Sequence, residues 1–258
     1  MSAAAVPLLA TSGLTKIFGQ LTALRSQSIE VRTGEIVGVI GPNGSGKSTF
    51  FNLVTGFLRP NSGEVKLDGV PIQRMAPARI ARLGIARTFQ GTRLFAGLSV
   101  LENVRAAAQL RHPSTMLDAM LGTKRLRAAE DKVDAMAEEL LGLVDLRRHA
   151  QRRAGDLPYG DQRRLELIRA LATGPRLLML DEPAAGMDAA ETRRLLELIS
   201  ELRHRYRLGV IVVEHDMDLI MNLCDRIQVL AAGETVFEGS PADVQAHPRV
   251  REVYLGHA

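Results

Sequence analysis

The segment EIVGVIGPNGSGKST, Glu35 to Thr49, constrains the fold of this chain more than any other stretch. Its first half is almost wholly apolar and ends in glycine, the pattern of a central strand buried on both faces. Its second half matches G-x-x-x-x-G-K-[ST] at Gly41, Gly46, Lys47 and Ser48. Glycines let successive backbone N–H groups curl round phosphate oxygens, and the N-terminus of the helix that follows favours an anion. Lys47 is then the cation for the β- and γ-phosphates, and the Ser48 hydroxyl a ligand for Mg²⁺. A glycine-rich turn with a lysine in it by chance is the plain alternative. A buried strand before the turn and a helix after it, Lys47 to about Phe57, favour nucleotide binding.

Other segments extend this pattern. Leu14–Phe18 and Ser28–Val31 are β-prone, NSGEVKLDG reads as a short strand and APARIARLG as a short helix. Between residues 92 and 164 strand signals fade. There LSVLENVRAAAQL, the MLDAML region and RAAEDKVDAMAEELLGLVDL carry apolar residues at three- and four-residue steps, the period of a helix with one apolar face. After residue 165 helix and strand alternate: QRRLELIRALAT, RLLMLDEP, ETRRLLELISELRHRY, GVIVVEH, MDLIMNLC and a strand pair in DRIQVLAAGETVFEG. Unbroken apolar strands alternating with helices predict a parallel sheet covered by helices and interrupted by a helical insert. The charge run Arg147–Arg153 reads as a solvated face.

Two strand ends in this second half carry chemistry. LLMLDEP delivers Asp181 at the carboxyl end of an apolar strand, where α/β sheets bind ligands and where Asp181 would hold Mg²⁺, mostly through water. Glu182, one residue on, is placed to polarise the water that attacks a γ-phosphate, or simply to turn the chain before Pro183. In GVIVVEHD, His215 either orients that water or caps the following helix.

Composition removes several alternatives. The chain has 258 residues, 33 Lys and Arg against 29 Asp and Glu, a net charge of +4, 4% aromatic residues and no Trp. A platform that stacks single-stranded nucleic acid needs exposed aromatics, and a duplex reader needs a basic stripe, so no nucleic-acid partner is expected. The one cysteine, Cys224, excludes an intrachain disulfide and a Cys-based metal cluster, and its apolar helical surroundings make it a buried core thiol. MSAAAVPLLA lacks the basic start of a signal peptide, and no stretch approaches the roughly 18 apolar residues of a membrane span, so a cytoplasmic protein is expected.

Taken in order, GPNGSGKST, Gln90 in IARTFQ, LPYGDQRRLELIRAL, LLMLDEP, AAGMD and EHD resemble the ATP-binding cassette (ABC) ATPases along nearly the whole chain. The resemblance implies an α/β P-loop NTPase core with a mostly parallel sheet, an N-terminal antiparallel β part and an inserted helical subdomain. It implies one domain over 1–258, with the core at 8–91 and 165–240, the helical subdomain at 92–164 and a tail at 241–258. ATP would be bound by Gly41, Pro42, Asn43, Gly44, Ser45, Gly46, Lys47, Ser48 and Thr49, with Phe18 stacked on adenine where the family more commonly has Tyr. Mg²⁺ would sit at Ser48, Gln90 and Asp181, and catalysis would fall to Glu182, His215, Gln90 and Lys47. Leu157, Pro158, Tyr159, Gly160, Asp161 and Gln162 would be the signature that completes the ATP site of a second subunit, identical or different, and Asp188 the D-loop acid. The usual signature is LSGGQ. Here Pro158 replaces a serine and offers neither hydroxyl nor N–H, whereas Gly160 keeps room for close backbone approach.

Pro-Tyr-Gly at this position, the long helical insert and the tail HPRVREVYLGHA after GETVFEGSPADV are similar to the ATPases of bacterial branched-chain amino-acid importers. That likeness implies a peripheral ATPase at the cytoplasmic face of the inner or cell membrane. Transmembrane permease subunits would hold it there, and a substrate-binding protein would be an indirect partner. Docking is expected around Gly91–Val100, whose apolar residues would serve equally as the insert's own core. A soluble ABC-type ATPase of cofactor assembly or another non-transport role is the alternative. A binding module without catalysis is disfavoured, because Lys47, Asp181, Glu182 and His215 are all present.

Overall fold

The computed structural model describes residues 6–111 and 124–255. Its central sheet is built from β3 (Ile36–Ile40), β6 (Ile85–Arg87), β7 (Leu177–Asp181), β8 (Gly209–Val213), β9 (Arg226–Ala231) and β10 (Glu234–Gly239). The strand order is β10-β9-β3-β8-β7-β6, parallel throughout except for the β9–β10 hairpin. Every residue of β3, β7 and β8 is buried, which is why these strands read as unbroken apolar runs. Alternate residues serve opposite faces. Ile36, Ile40, Leu178, Leu180, Val210 and Val212 join a core on the helical side. Val37, Val39, Leu177, Met179, Ile211 and Val213 join a second core with Leu9, Leu24, Phe50 and Phe51.

That second core is closed by an antiparallel sheet of β1 (Leu9–Phe18), β2 (Leu21–Val31), β4 (Ser62–Leu67) and β5 (Val70–Pro71), in the order β2-β1-β4-β5. β1 and β2 run well beyond the expected Leu14–Phe18 and Ser28–Val31, because their paired backbones continue through polar positions with irregular register. Helix α1 (Lys47–Val54) is shorter than expected. Gly56, at φ +78°, turns the chain before Phe57 is reached. The α2 helix (Pro77–Arg82) follows, then α3 (Val100–Ala108), α4 (Lys124–Gly142) and α5 (Tyr159–Ala172), which pack on one another as the helical layer. MLDAML lies outside the described residues. The α5 helix starts three residues earlier than QRRLELIRALAT and runs unbroken from the insert into the core.

Of the remaining helices, α6 (Ala189–Tyr206) and α7 (Met217–Leu223) cover the sheet, and α8 (Pro241–Ala246) and α9 (Pro248–Leu255) close against β10. Cys224 is buried behind β3, where a Cβ on Gly38 would stand 3.0 Å from its sulfur, and burial pushes the thiol up to about 12. Arg147, Arg148, Arg152 and Arg153 are exposed around the buried Ala150 and Ala154. Among the described residues no helix is long and apolar enough to cross a membrane.

Candidate nucleotide site

β3 delivers the chain into a loop that only glycine can complete at two places. A Cβ on Gly41 would collide with Leu230 O, and one on Gly46, at φ +105°, would stand 2.6 Å from Ala23 O. Gly46 caps α1 without any side-chain acceptor, so the N–H groups of the first turn are free to meet an anion. Lys47 Nζ donates to Gly41 O at 2.7 Å and Pro42 O at 3.0 Å, folding the ammonium back over the loop. Its burial lowers the ammonium pKa, while the carboxylates of Glu182 and Asp181 raise it. The loop opens on a cavity of about 510 Å³ lined by Asn43 through Thr49, Phe18, Gln90 and Glu182. Phe18, at the end of β1, is 44% exposed, with Lys16 Nζ 5.1 Å from its ring centre.

The register of β7 on β8 pairs Asp181 with Val213, so both strands end at the mouth of this cavity. Asp181 lines an adjoining cavity of about 610 Å³ with Ser48 and Gln90. These three residues offer a carboxylate, a hydroxyl and an amide oxygen, the hard donors Mg²⁺ takes when phosphates and water complete its shell. Among the described residues no cluster of three His, Cys, Asp or Glu side chains could hold a metal alone.

Asp181 is also ion-paired. Its Oδ2 accepts from Arg87 Nη2 at 2.8 Å, and both side chains are nearly buried. Arg87 donates further to Asn52 Oδ1 at 2.6 Å and lies over the rings of Phe51 and Phe89. Arg87 was not singled out in the sequence. The one available signal was an arginine at the end of IAR, an otherwise apolar strand.

Glu182 sits at φ +47° and accepts from Gln90 Nε2 at 2.9 Å. His215 Nδ1 is 4.0 Å from Glu182 Oε1 and 3.8 Å from Glu214 Oε2, and its side chain is 69% exposed. Glu214, likewise not singled out, is 1% exposed and accepts from Ala184 N at 3.0 Å and from His215 N at 3.3 Å. Burial pushes its carboxyl above the usual range, against those bonds and the neighbouring imidazole. The cap of α7 is Asp216, which accepts from Leu219 N, so His215 is not needed there.

Leu157–Gln162 form the head of α5, and none of them lines the cavity that holds Lys47. Pro158 takes the N-cap position with no side-chain bond. Tyr159 Oη donates to Ala185 O at 2.9 Å, Asp161 pairs with Arg164, and Gln162 Nε2 donates to Leu157 O at 2.9 Å. The room kept by Gly160 is bounded within the chain, because a Cβ there would collide with the Glu191 carboxylate. Asp188 caps α6, its Oδ1 accepting from Ala190 N and Glu191 N at 2.8 Å each, and Glu191 accepts from Asp188 N in return.

Between core and insert runs an apolar groove of about 540 Å³, lined by Phe57, Ile80, Phe89, Phe95, Ala107 and Leu110 among others. The expected docking segment divides. Leu94 and Val100 join the internal core, whereas Phe95 and Leu98 are 54% and 39% exposed.

A family model described as ABC transporter matches residues 24–185, and one described as branched-chain amino acid ATP-binding cassette transporter matches residues 234–258. The high-affinity branched-chain amino acid transport ATP-binding protein LivG of Salmonella typhimurium is 42% identical over 98% of this chain and 99% of its own length. Among solved structures, the ADP conformation of MJ1267, an ATP-binding cassette of an ABC transporter, aligns with a TM-score of 0.84 and 31% identity, over 97% of this chain and 99% of that one. A dimeric structure of MJ0796, a bacterial ABC transporter cassette, aligns with a TM-score of 0.76 and 26% identity, over 90% and 98%.

Proposed function

This chain belongs to the ABC transporter family, and on that premise we propose that it hydrolyses ATP at the Lys47 cavity to power an importer of branched-chain or related amino acids. The observation that carries the proposal is the meeting of Lys47, Ser48, Gln90 and Glu182 around one cavity, with the Gln90 amide 2.9 Å from the Glu182 carboxylate. Lys47 leaves the Gly41 and Pro42 carbonyls for the β- and γ-phosphates, and the free N–H groups of α1 take the remaining oxygens. Phe18 offers its exposed face to the adenine. Glu182 acts as general base once Gln90 releases its carboxylate, and His215, exposed beside it, steadies the γ-phosphate. Ser48, Gln90 and Asp181 would hold Mg²⁺, which when bound neutralises charge between the β- and γ-phosphates.

The signature residues Leu157–Gln162 stand apart from the chain's own cavity, which supports a second ABC subunit supplying that half of the site, as expected of a relative of a dimeric cassette. The groove beside Phe95 is where we place the permease, and through it the peripheral position at the cytoplasmic face of the membrane. The substrate class rests on likeness to LivG over nearly the full length and on the family match at 234–258.

The test joins two variants to one capture. Lys47→Ala should lose ATP binding. Glu182→Gln should keep binding, lose roughly a hundredfold or more in turnover, and accumulate an ATP-bound dimer on size exclusion. Capture from membranes should recover a permease. Parental turnover in Glu182→Gln would remove its assignment as base, and capture of a soluble complex without a permease would replace import with another use of the ATPase.

A further inference from the structure

Arg163 and Glu166 of α5 are buried charges, 4% and 3% exposed. Such burial is costly unless every group is partnered. The partners lie on two loops of the active site. Arg163 Nη2 donates to Gln90 O at 2.9 Å and Nη1 to Phe89 O at 3.2 Å, while Glu166 Oε2 accepts from Nη1 at 3.3 Å. Glu166 Oε1 accepts from Arg93 N at 3.4 Å, which holds the same loop at a third point. Arg163 Nε donates to Tyr159 Oη at 2.9 Å, and Tyr159 Oη donates in turn to Ala185 O, three residues past Glu182. The side chain of Gln90 closes the circuit on Glu182 itself.

We propose that Arg163, with Tyr159, is a positioning residue for Glu182: it fixes the Gln90 loop to the head of α5, so that movement of α5 sets the contact between Gln90 and the Glu182 carboxylate. The inference rests on the reading of Glu182 as the base. A planar guanidinium presents donors in a rigid fork and can grip two successive carbonyls at once, which a lysine ammonium on a flexible stem does not reproduce. The carbonyl it holds and the amide that touches Glu182 belong to the same residue, so a displacement of α5 reaches the carboxylate through Gln90 alone. Tyr159 makes the arrangement particular to a signature reading LPYG, since glycine at that place has no hydroxyl with which to join Arg163 to Ala185. Whatever engages the head of α5 then moves the Gln90 loop, and through it the amide that touches the base.

The test is single-turnover ATP hydrolysis and equilibrium ATP binding by the full chain and by Arg163→Lys, which keeps a cation beside Glu166, alongside Tyr159→Phe, Gln90→Ala and the two doubles with Gln90→Ala. Arg163→Lys should slow hydrolysis about tenfold or more with ATP affinity within about twofold of the parent. Because it acts through Gln90, it should add no further loss in the Gln90→Ala background. Parental hydrolysis in Arg163→Lys, or losses that multiply in the double variant, would overturn the proposal. Should thermal melting find Arg163→Lys unfolded, the same cycle with Tyr159→Phe decides, with a smaller single loss and again none in the Gln90→Ala background. Equal hydrolysis by the parent and Lys47→Ala would overturn the ATPase reading itself, and the positioning role with it.

Discussion

Asp181 combines two demands at the residue scale. Its proposed role asks that it be negative enough to help hold Mg²⁺, yet it is 6% exposed at the end of a buried strand. Arg87 meets the second demand by pairing with it at 2.8 Å. Removing one member of a buried pair strands the other, so Arg87→Ala should cost about 3 kcal/mol in a denaturant melt, whereas Arg87→Met combined with Asp181→Asn should recover much of that loss. A loss in the double variant equal to the summed losses of Arg87→Met and Asp181→Asn measured singly would show that the two charges are not coupled. Glu214 is a second buried carboxyl beside the site. Its folded pKa is raised, chiefly by burial, so the stability it contributes is full below the ordinary glutamate value of 4.5 and is lost as pH rises through the folded value. Melting temperatures of the parent minus those of Glu214→Gln should therefore fall as pH climbs from 4.5, and a difference that is flat in pH would remove the burial argument. Lys47 stood out in the sequence as part of a pattern of fixed spacing, and Asp181, Glu182 and His215 stood out as polar residues at the ends of apolar strands. Arg87, Glu214 and Arg163 did not, because their roles depend on which distant strand or loop they touch.

The same division holds for elements. The buried strands were legible because burial on both faces demands unbroken apolar runs, and β3, β7 and β8 have them. Element ends were less so, since they are decided by backbone geometry: Gly56 at φ +78° ends α1 ahead of Phe57, and Pro158 starts α5 from an extended cap. The α3 helix begins on a capping box in which Ser99 accepts from Glu102 N and Glu102 accepts from Ser99 N. Asn103, fully buried one residue on, ties the same turn to Phe95 by donating to its carbonyl at 3.1 Å and accepting from its N–H at 2.9 Å. Ser99→Ala should cost about 1 kcal/mol in a urea melt, the usual worth of such a cap. It should also loosen the Phe95 segment, read as faster amide exchange there than in α5. Unchanged exchange at Phe95 would mean that Asn103 alone holds the segment.

At the scale of the molecule, the chain's own nucleotide cavity, the signature head it would lend to a second subunit and the proposed permease groove are joined by the Gln90 loop. Its backbone is held by α5, its side chain reaches Glu182, and its continuation through Phe95 forms one wall of the apolar groove. Phe95 is more than half exposed, with the Arg169 guanidinium 5.4 Å from its ring centre in a cation–π contact. A large aromatic side chain at the edge of an apolar groove is the kind of anchor that dominates a protein interface. A carboxylate in its place would have to be desolvated on docking with no assured partner in the permease. Phe95→Glu should therefore weaken recovery with permease-containing membranes about tenfold or more, with melting temperature near that of the parent because the position is exposed in the isolated chain. Full recovery with Phe95→Glu would move the docking surface off this groove, and the Gln90 loop would then link the signature head to Glu182 without linking either to the membrane.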